Sequence, residues 1–319
     1  MRRIGVLTSG GDAPGMNAAI RAVVRKSIYH GLEPVGIRRG FTGLIAKEMV
    51  PMGLGSVADI IHRGGTILRT ARCPEFMTLE GLKKAVNNLQ EAKIEDLIVL
   101  GGDGSFHGAL KLANEGIRVI GVPASIDNDI PCTDYSIGFD TAVNTVLDAI
   151  NKIRDTATSH ERVFIIEVMG RRSGHIALEA GLAAGAESIL IPEVPYDLED
   201  IVTKLCRGQA RGKLHSILVV AEGAVNALEL GDRIQETSQM DTRVTILGHI
   251  QRGGSPTAVD RIRASQLAAY AVDLLRQGES YKMVGIQAGK IQSWDMAYVF
   301  TQKKRPDKKM MELANILAI

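Results

Sequence analysis

Residues 96–130 read DLIVLGGDGSFHGALKLANEGIRVIGVPASIDNDI. An apolar run, Leu97 to Leu100, stops at Gly101-Gly102-Asp103-Gly104-Ser105. An amphipathic segment follows, then a second apolar run from Ile117 to Val122, then Pro123-Ala124-Ser125-Ile126-Asp127-Asn128-Asp129. This pattern predicts strand, glycine turn, helix, strand and acidic loop. Both loops then leave strands at the carboxyl edge, where open α/β sheets take their ligands. The glycine turn has almost no side-chain bulk, so backbone can approach a phosphate closely, and Asp103 can hold Mg²⁺ there directly or through water. Taken alone, an Asp-Gly turn is common in any protein. Asp127 and Asp129 in the second loop shift the balance, because one carboxylate can act as a general base while another supports a metal or orients an arginine.

Working outward, Ile4 to Thr8 is another apolar run, and it ends in Ser9-Gly10-Gly11-Asp12-Ala13-Pro14-Gly15-Met16-Asn17. Ala18, Ile20, Ala22, Val23, Val24 and Ile28 predict a helix with Asn17 as its N-cap. A strand, a glycine loop and a helix N-terminus together favour an anion. No Gly-Lys-Ser/Thr closes the loop, so it is not a Walker A loop, and taken alone it fits a plain tight turn equally well. Arg21 and Arg25 share one helix face, for which a solvated basic stripe is the ordinary reading. Residues 33–38 predict a strand. Gly53 to Ala58 matches GxGxxA, but no strong strand precedes it and no suitable acid follows, so the dinucleotide reading is rejected. Arg69 to Pro74 is a basic turn, and Leu79 to Leu89 is helical by spacing.

Ile137 to Ile153 has a clear 3.6-residue period, and a domain boundary is placed just before it. The pattern then restarts. Strands are expected over 162–168, 188–191, 217–221 and 242–247, with helices over 177–184 and 198–205. Such alternation means an α/β fold with mainly parallel sheets. Arg162, Arg171, Glu222, Arg243, His249 and Arg252 fall near predicted strand ends, and a common edge would suit a phosphate-bearing substrate. Lys303 to Lys309 reads as solvated surface.

With 319 residues, the chain is long enough for two domains. A net charge of +2 and only 4% aromatic residues give no reason to expect binding to nucleic acid or a membrane. Cys73, Cys132 and Cys206 form no CxxC, which suits free thiols in a reducing cytosol. No apolar run reaches membrane-spanning length, and a cytoplasmic protein is expected.

These stretches together resemble the bacterial ATP-dependent 6-phosphofructokinases, essentially from end to end. The likeness is carried by GGDAPGMNAAIR (Gly10 to Arg21), GGDGS (Gly101 to Ser105), SIDNDI (Ser125 to Ile130), EVMGR (Glu167 to Arg171) and GHIQRGGSP (Gly248 to Pro256). GGDGS alone also resembles NAD kinases and lipid kinases, which would not explain SIDNDI or GHIQRGGSP. The resemblance implies two Rossmann-like three-layer domains with mainly parallel sheets and the active site in the cleft between them. Residues 1–138 with about 252–304 would form the larger, ATP-binding domain. Residues 139–251 with about 305–319 would form the smaller, sugar-phosphate-binding one.

The implied reaction is the glycolytic transfer of the γ-phosphoryl of MgATP to the 1-hydroxyl of fructose 6-phosphate. Gly11, Arg72, Cys73, Gly102, Asp103, Gly104 and Ser105 would bind ATP, with Asp103 serving Mg²⁺. Asp127 would be the base, and Arg72 and Arg171 would neutralise developing charge. Ser125, Ile126, Asp127, Met169, Gly170, Arg171, Glu222, His249, Ile250, Gln251 and Arg252 would hold the sugar phosphate. Arg162 and Arg243 would reach it from a neighbouring subunit of a homotetramer. An effector site for ADP or phosphoenolpyruvate would involve Arg21, Ala22, Val23, Val24, Arg25, Asp59 and Arg154. It would also take in Gly185, Ala186, Glu187, Arg211, Lys213, Leu214 and His215.

Several positions depart from the family pattern. Ser125 stands where the family usually has Thr, Ala124 where it usually has Gly, and Phe41 and Met77 where Tyr and Arg are frequent. Pyrophosphate-dependent relatives carry Asp and Lys at the positions of Gly104 and Ala124, so small residues here favour ATP. Leu54 replaces an expected effector-site arginine, which implies a weak effector response. A catalytically silent regulatory subunit is the alternative from another class, and intact Asp103, Asp127, Arg72 and Arg171 oppose it.

Overall fold

The computed structural model describes residues 2–157 and 162–318, and the counts below refer to those residues. Contacts divide the chain into two compact units. The first comprises residues 1–125, 130–141 and 252–304; the second comprises residues 126–129, 142–251 and 305–319.

In the first unit, β1 (Arg3–Thr8), α1 (Met16–Tyr29), β2 (Glu33–Ile37), α2 (Gly40–Ile45) and β3 (Met49–Pro51) come first, followed by α3 (Leu79–Glu91), β4 (Ile94–Gly101), α4 (Asp103–Asn114) and β5 (Arg118–Pro123). The helix α5 (Phe139–Ala157) leads into the second unit, which holds β6 (Val163–Val168), α6 (His175–Ala184), β7 (Ser188–Leu190), α7 (Leu198–Ala210), β8 (Ser216–Ala221), α8 (Ala227–Ser238) and β9 (Thr242–Ile246). The chain returns to the first unit through α9 (Ala258–Arg276), β10 (Lys282–Gln287), β11 (Lys290–Asp295) and α10 (Met296–Thr301), and it ends in the second unit with α11 (Lys308–Leu317).

The first unit's sheet has seven strands in the order β11-β10-β5-β4-β1-β2-β3, and only the β2/β3 and β10/β11 pairs are antiparallel. Its middle strands read as unbroken apolar runs because helices cover both faces, and Leu97, Ile98, Val99 and Leu100 are fully buried. Thr8 pairs with Leu100, and Gly101 with Pro123. This register brings the two glycine loops and the acidic loop out side by side. The second unit's sheet is all parallel, ordered β7-β8-β6-β9, with Val168 opposite Ala221 and Glu167 opposite Ile246. Met169 and Glu222 therefore emerge together.

Asn17 is not a cap. The N-cap of α1 is Gly15, at φ 104°. The Asn17 side chain is buried and is used to fasten the 63–67 loop, donating to the Arg63 and Gly64 carbonyls and accepting from the Ile67 N–H at 2.8 Å. The start of α5 is held from α9: Asp260 is fully buried and accepts from the N–H groups of Gly138 and Thr141 and from the Thr141 hydroxyl. Burial pushes its carboxyl above the ordinary range, against the opposing pull of those bonds.

Candidate active site

In the first unit the two glycine loops interlock. A Cβ on Gly101 would meet the Ser105 hydroxyl and the Ser9 carbonyl, at 2.5 and 2.6 Å. Gly10, at φ 85°, lies with its Cβ position 3.3 Å from the same hydroxyl. Ser105 is buried, so of the residues assigned to the nucleotide it serves here to close the two turns on each other. Gly11 is covered by the Arg252 guanidinium, whose Nη1 donates to the Asp12 carbonyl at 3.4 Å. Thr70 fastens the basic turn to this loop through the Gly10 carbonyl; beyond it, Arg72 is exposed and Cys73 half-buried.

Gly104 behaves differently from Gly101. It lies in the first turn of α4 with no positive φ, and a Cβ there would meet nothing within 4 Å. Gly102 is nearly as open, its Cβ position 4.0 Å from that of Ser125. Nothing in the fold requires glycine at 104, so the empty space above the helix start is what the residue provides. Asp103 opens α4 with its side chain 62% exposed, and His107 Nε2 lies 3.7 Å from Oδ2. His107 in turn stacks on Phe300, with ring centroids 3.9 Å apart.

No group of three or more His, Cys, Asp or Glu side chains able to hold a metal occurs among the described residues. A cation carried on nucleotide phosphates needs only one or two protein carboxylates, and the exposed Asp103 at a helix start fits that donor set.

The acidic loop is pinned at its root. Ala124 N–H donates to Gly101, Ser125 N–H to Ile137, and the Ser136 hydroxyl to the Ser125 carbonyl at 2.6 Å. Ala124 is buried and Ser125 partly exposed.

In the second unit Ile126 and Asp127 are buried. Arg171 Nε stands 3.6 Å from Asp127 Oδ2, and the Ser173 hydroxyl donates to the Asp127 carbonyl at 3.0 Å. A carboxylate this deeply buried needs a cation beside it. Glu222 Oε1 accepts from the N–H groups of both Gly170 and Arg171, at 3.2 and 2.7 Å. Arg171 itself is in the left-handed region, φ 54°, a conformation that side-chain-bearing residues rarely hold without surrounding support. Gln251 is fully buried and accepts from the Met169 N–H, while His249 and Ile250 are exposed beside it. The 169–171 turn is thus clamped from two sides.

Arg162 and Arg243 are not at this edge. The common edge read from the sequence is corrected here: Arg162 precedes β6 and Arg243 is the second residue of β9, whereas Arg171 and Glu222 follow β6 and β8. In parallel strands these are opposite edges, separated by roughly 20 Å of strand. At the amino edge both arginines meet one carboxylate, Asp241, at 2.5 Å from Arg162 Nε and 3.1 Å from Arg243 Nη2. Asp241 and Ser173 escaped the sequence reading. An acid directly before a strand that begins Thr-Arg was the available signal for the first; a lone serine offered none for the second.

The residues expected to hold an effector fall into separate sets. In the second unit, Arg154 donates to the Ala184 carbonyl just before Gly185, Glu187 pairs with Lys213, and His215 lies among them. The His215 imidazole titrates below its ordinary value, through burial first and then the charges of Arg154 and Lys213, against the pull of Glu187. Ala186 is buried, and Arg211 and Leu214 are exposed. In the first unit Arg25, Leu54 and Asp59 are exposed and Arg21 and Ala22 half-buried. Val23 and Val24 have 0% exposure and belong to the core, so they offer no side chain to a ligand.

The chain belongs to the phosphofructokinase family, which matches it over residues 3–275. The likeness carried by the five motifs is thus borne out. The ATP-dependent 6-phosphofructokinase of Bacillus subtilis strain 168 is 59% identical over 319 residues, covering all of both chains. Among solved structures, Saccharomyces cerevisiae phosphofructokinase superposes with a TM-score of 0.90 at 35% identity; this chain is covered fully and spans 48% of the yeast chain. A pyrophosphate-dependent phosphofructokinase from Marinobacter aquaeolei shares the fold, with a TM-score of 0.86 at 23% identity, covering all of this chain and 92% of that one. All three cysteines are free, and no helix among the described residues is long and apolar enough to cross a membrane.

Proposed function

We propose that this chain transfers the γ-phosphoryl of ATP to the 1-hydroxyl of fructose 6-phosphate, giving fructose 1,6-bisphosphate and ADP in the cytoplasm. The observation that carries the reading is the buried Asp127 carboxylate facing the Arg171 guanidinium at 3.6 Å, on a turn clamped by Glu222. Phosphoryl transfer asks a protein for positioning and charge neutralisation more than for covalent chemistry. Asp127 accepts the sugar hydroxyl proton. Arg171 sets that carboxylate's position and, with Arg72, meets charge developing on the transferred group. Ser125, Met169 and Gly170 shape the sugar side, with Glu222 and residues 249–252. Gly11, Arg72, Cys73 and residues 102–105 receive the nucleotide, and Asp103 holds its Mg²⁺. When bound, that cation neutralises phosphate charge.

ATP is favoured as donor over pyrophosphate by the empty space at Gly104 and the small buried Ala124. The larger unit takes the nucleotide and the smaller one the sugar phosphate. Arg162 and Arg243 lie at the wrong edge to share a ligand with Arg171 of their own chain, which supports their serving a neighbouring subunit in a homotetramer. ADP or phosphoenolpyruvate acts weakly, because exposed Leu54 supplies no charge where an anionic effector would want one.

The deciding experiment measures ADP release from MgATP with fructose 6-phosphate, with pyrophosphate as donor in parallel. Turnover with ATP alone is expected. Turnover with pyrophosphate refutes the role given to Gly104 and Ala124, and a folded protein silent with both donors refutes the enzyme reading in favour of a regulatory subunit.

A further inference from the structure

The seven-stranded sheet ends at β3, and a cationic pocket of about 450 Å³ lies beside that edge. Arg38, Arg39, Lys47 and Arg69 line it against one carboxylate, Glu48, which leaves three positive charges uncompensated within the lining. Met49 and Val50 add apolar surface. Gly11, Arg72, Cys73 and residues 102–105 are not part of the lining, so the pocket is distinct from the loops assigned to the nucleotide.

Two of the four cations are paired with carboxylates and two are not. Glu48 takes Arg39 in a two-pronged pair, with Nε to Oε2 at 2.8 Å, and Lys47 reaches out to Glu91. Arg38 and Arg69 have no carboxylate within 4.0 Å among the described residues. Their charge still reaches the pocket floor. The Glu48 carboxyl is held below its ordinary value mainly by the bond from Arg39, and the charges of Arg38 and Arg69 add to this against the effect of burial.

The backbone is also unusual here. Arg39, Lys47 and Arg69 sit at φ 56°, 58° and 60°, in the left-handed region that residues with a Cβ rarely adopt. All three line this pocket. Guanidinium forks match phosphate oxygens in two-point contacts, and ammonium groups add point charge. We propose that this pocket binds a short linear chain of phosphates, whose closely spaced anionic oxygens can meet Arg38 and Arg69 together. The bound chain would steady the first glycine loop, because the Arg69 carbonyl accepts from the Thr8 hydroxyl at 2.8 Å and the neighbouring Thr70 holds the Gly10 carbonyl.

The test is equilibrium dialysis of radiolabelled inorganic tripolyphosphate against the full chain at fixed ionic strength. MgADP is present at saturation to fill the nucleotide and effector positions. One tripolyphosphate per chain is expected. The double variant Arg38→Gln/Arg69→Gln should bind at least ~10-fold more weakly, since each removes a charge-assisted contact. Both side chains are exposed and unpaired with acids, so the variant should fold as the parent does; Lys47→Gln is the second variant, expected to weaken binding in the same direction. No binding to the saturated parent, or undiminished binding to the variants, overturns the proposal. Displacement by unlabelled ATP would name the triphosphate tail of a nucleotide as a source for the site; retention of the label would name the free inorganic chain.

Discussion

Replacing Gly104 by alanine separates two reasons for a glycine. In the first turn of α4 the residue has no positive φ, and the added Cβ meets no atom within 4 Å. The fold therefore loses nothing. Alanine fixes the unfolded chain more than glycine does and should stabilise the unit by up to about 0.5–1 kcal/mol, or about 1–4 °C in Tm for a unit of this size. The proposed function asks the opposite of the position, because nucleotide phosphates would lie where the methyl group projects. Displacing a reacting group by as little as ~1 Å can cost about 10²-fold in rate, so kcat/KM for MgATP should fall by that order while Tm holds or rises. The assay is steady-state ADP release with each variant, alongside thermal melts. Gly101→Ala is the internal contrast: its Cβ would sit 2.5 Å from the Ser105 hydroxyl and 2.6 Å from the Ser9 carbonyl, so it should lower Tm as well as activity. Unchanged ATP kinetics in Gly104→Ala would refute the idea that the space is kept for the nucleotide. A lowered Tm would refute the packing argument itself.

Asp127→Asn should reduce kcat by at least ~10²-fold, the low end for a general base; a near-normal turnover number sinks that role. Leu54→Arg should raise affinity for ADP or phosphoenolpyruvate about tenfold to a hundredfold by adding one charge-assisted contact, read as a shift in half-maximal effector concentration. Strong sub-millimolar inhibition of the parent by phosphoenolpyruvate would count against the weak-effector reading. The pH dependence of stability follows from Asp260, whose carboxyl titrates above its usual value because it is buried. Its stabilising contribution is complete below the ordinary carboxylate value and is lost as pH rises through the elevated folded value. Urea midpoints measured across that acid window should thus depend on pH less steeply in Asp260→Asn than in the parent; identical slopes would contradict it.

The middle strands were legible because parallel strands covered on both faces are continuous apolar runs, as in Leu97 to Leu100. The two glycine loops and the acidic loop were legible because glycines and carboxylates interrupt such runs abruptly. Other elements were not. The strand β3 is three residues long, and α9 is alanine-rich and packs against both α1 and β5, so its sequence shows little one-sided contrast. Asn17 has the chemistry of a cap, but only the tertiary structure shows its bonds going to the 63–67 loop. Arg162 and Arg171 were read as neighbours because strand beginnings and strand ends were counted together. The buried Val23 and Val24 came with the helix that carries Arg21 and Arg25, and spacing alone did not mark which of the five face inward.

The separation of Arg162 and Arg243 from Arg171 and Glu222 along the strands has a consequence for mixtures of defective chains. A chain carrying Arg162→Ala keeps a sound carboxyl edge, and a chain carrying Glu222→Ala keeps a sound amino edge. If every sugar-phosphate site takes one edge from each of two copies, randomly assembled oligomers of the two inactive chains regain roughly one intact site in four. If each chain serves only itself, mixing restores none. Two lesions that look equivalent when tested singly would then complement each other, which makes the sharing of sites between copies observable without any structure of the assembly.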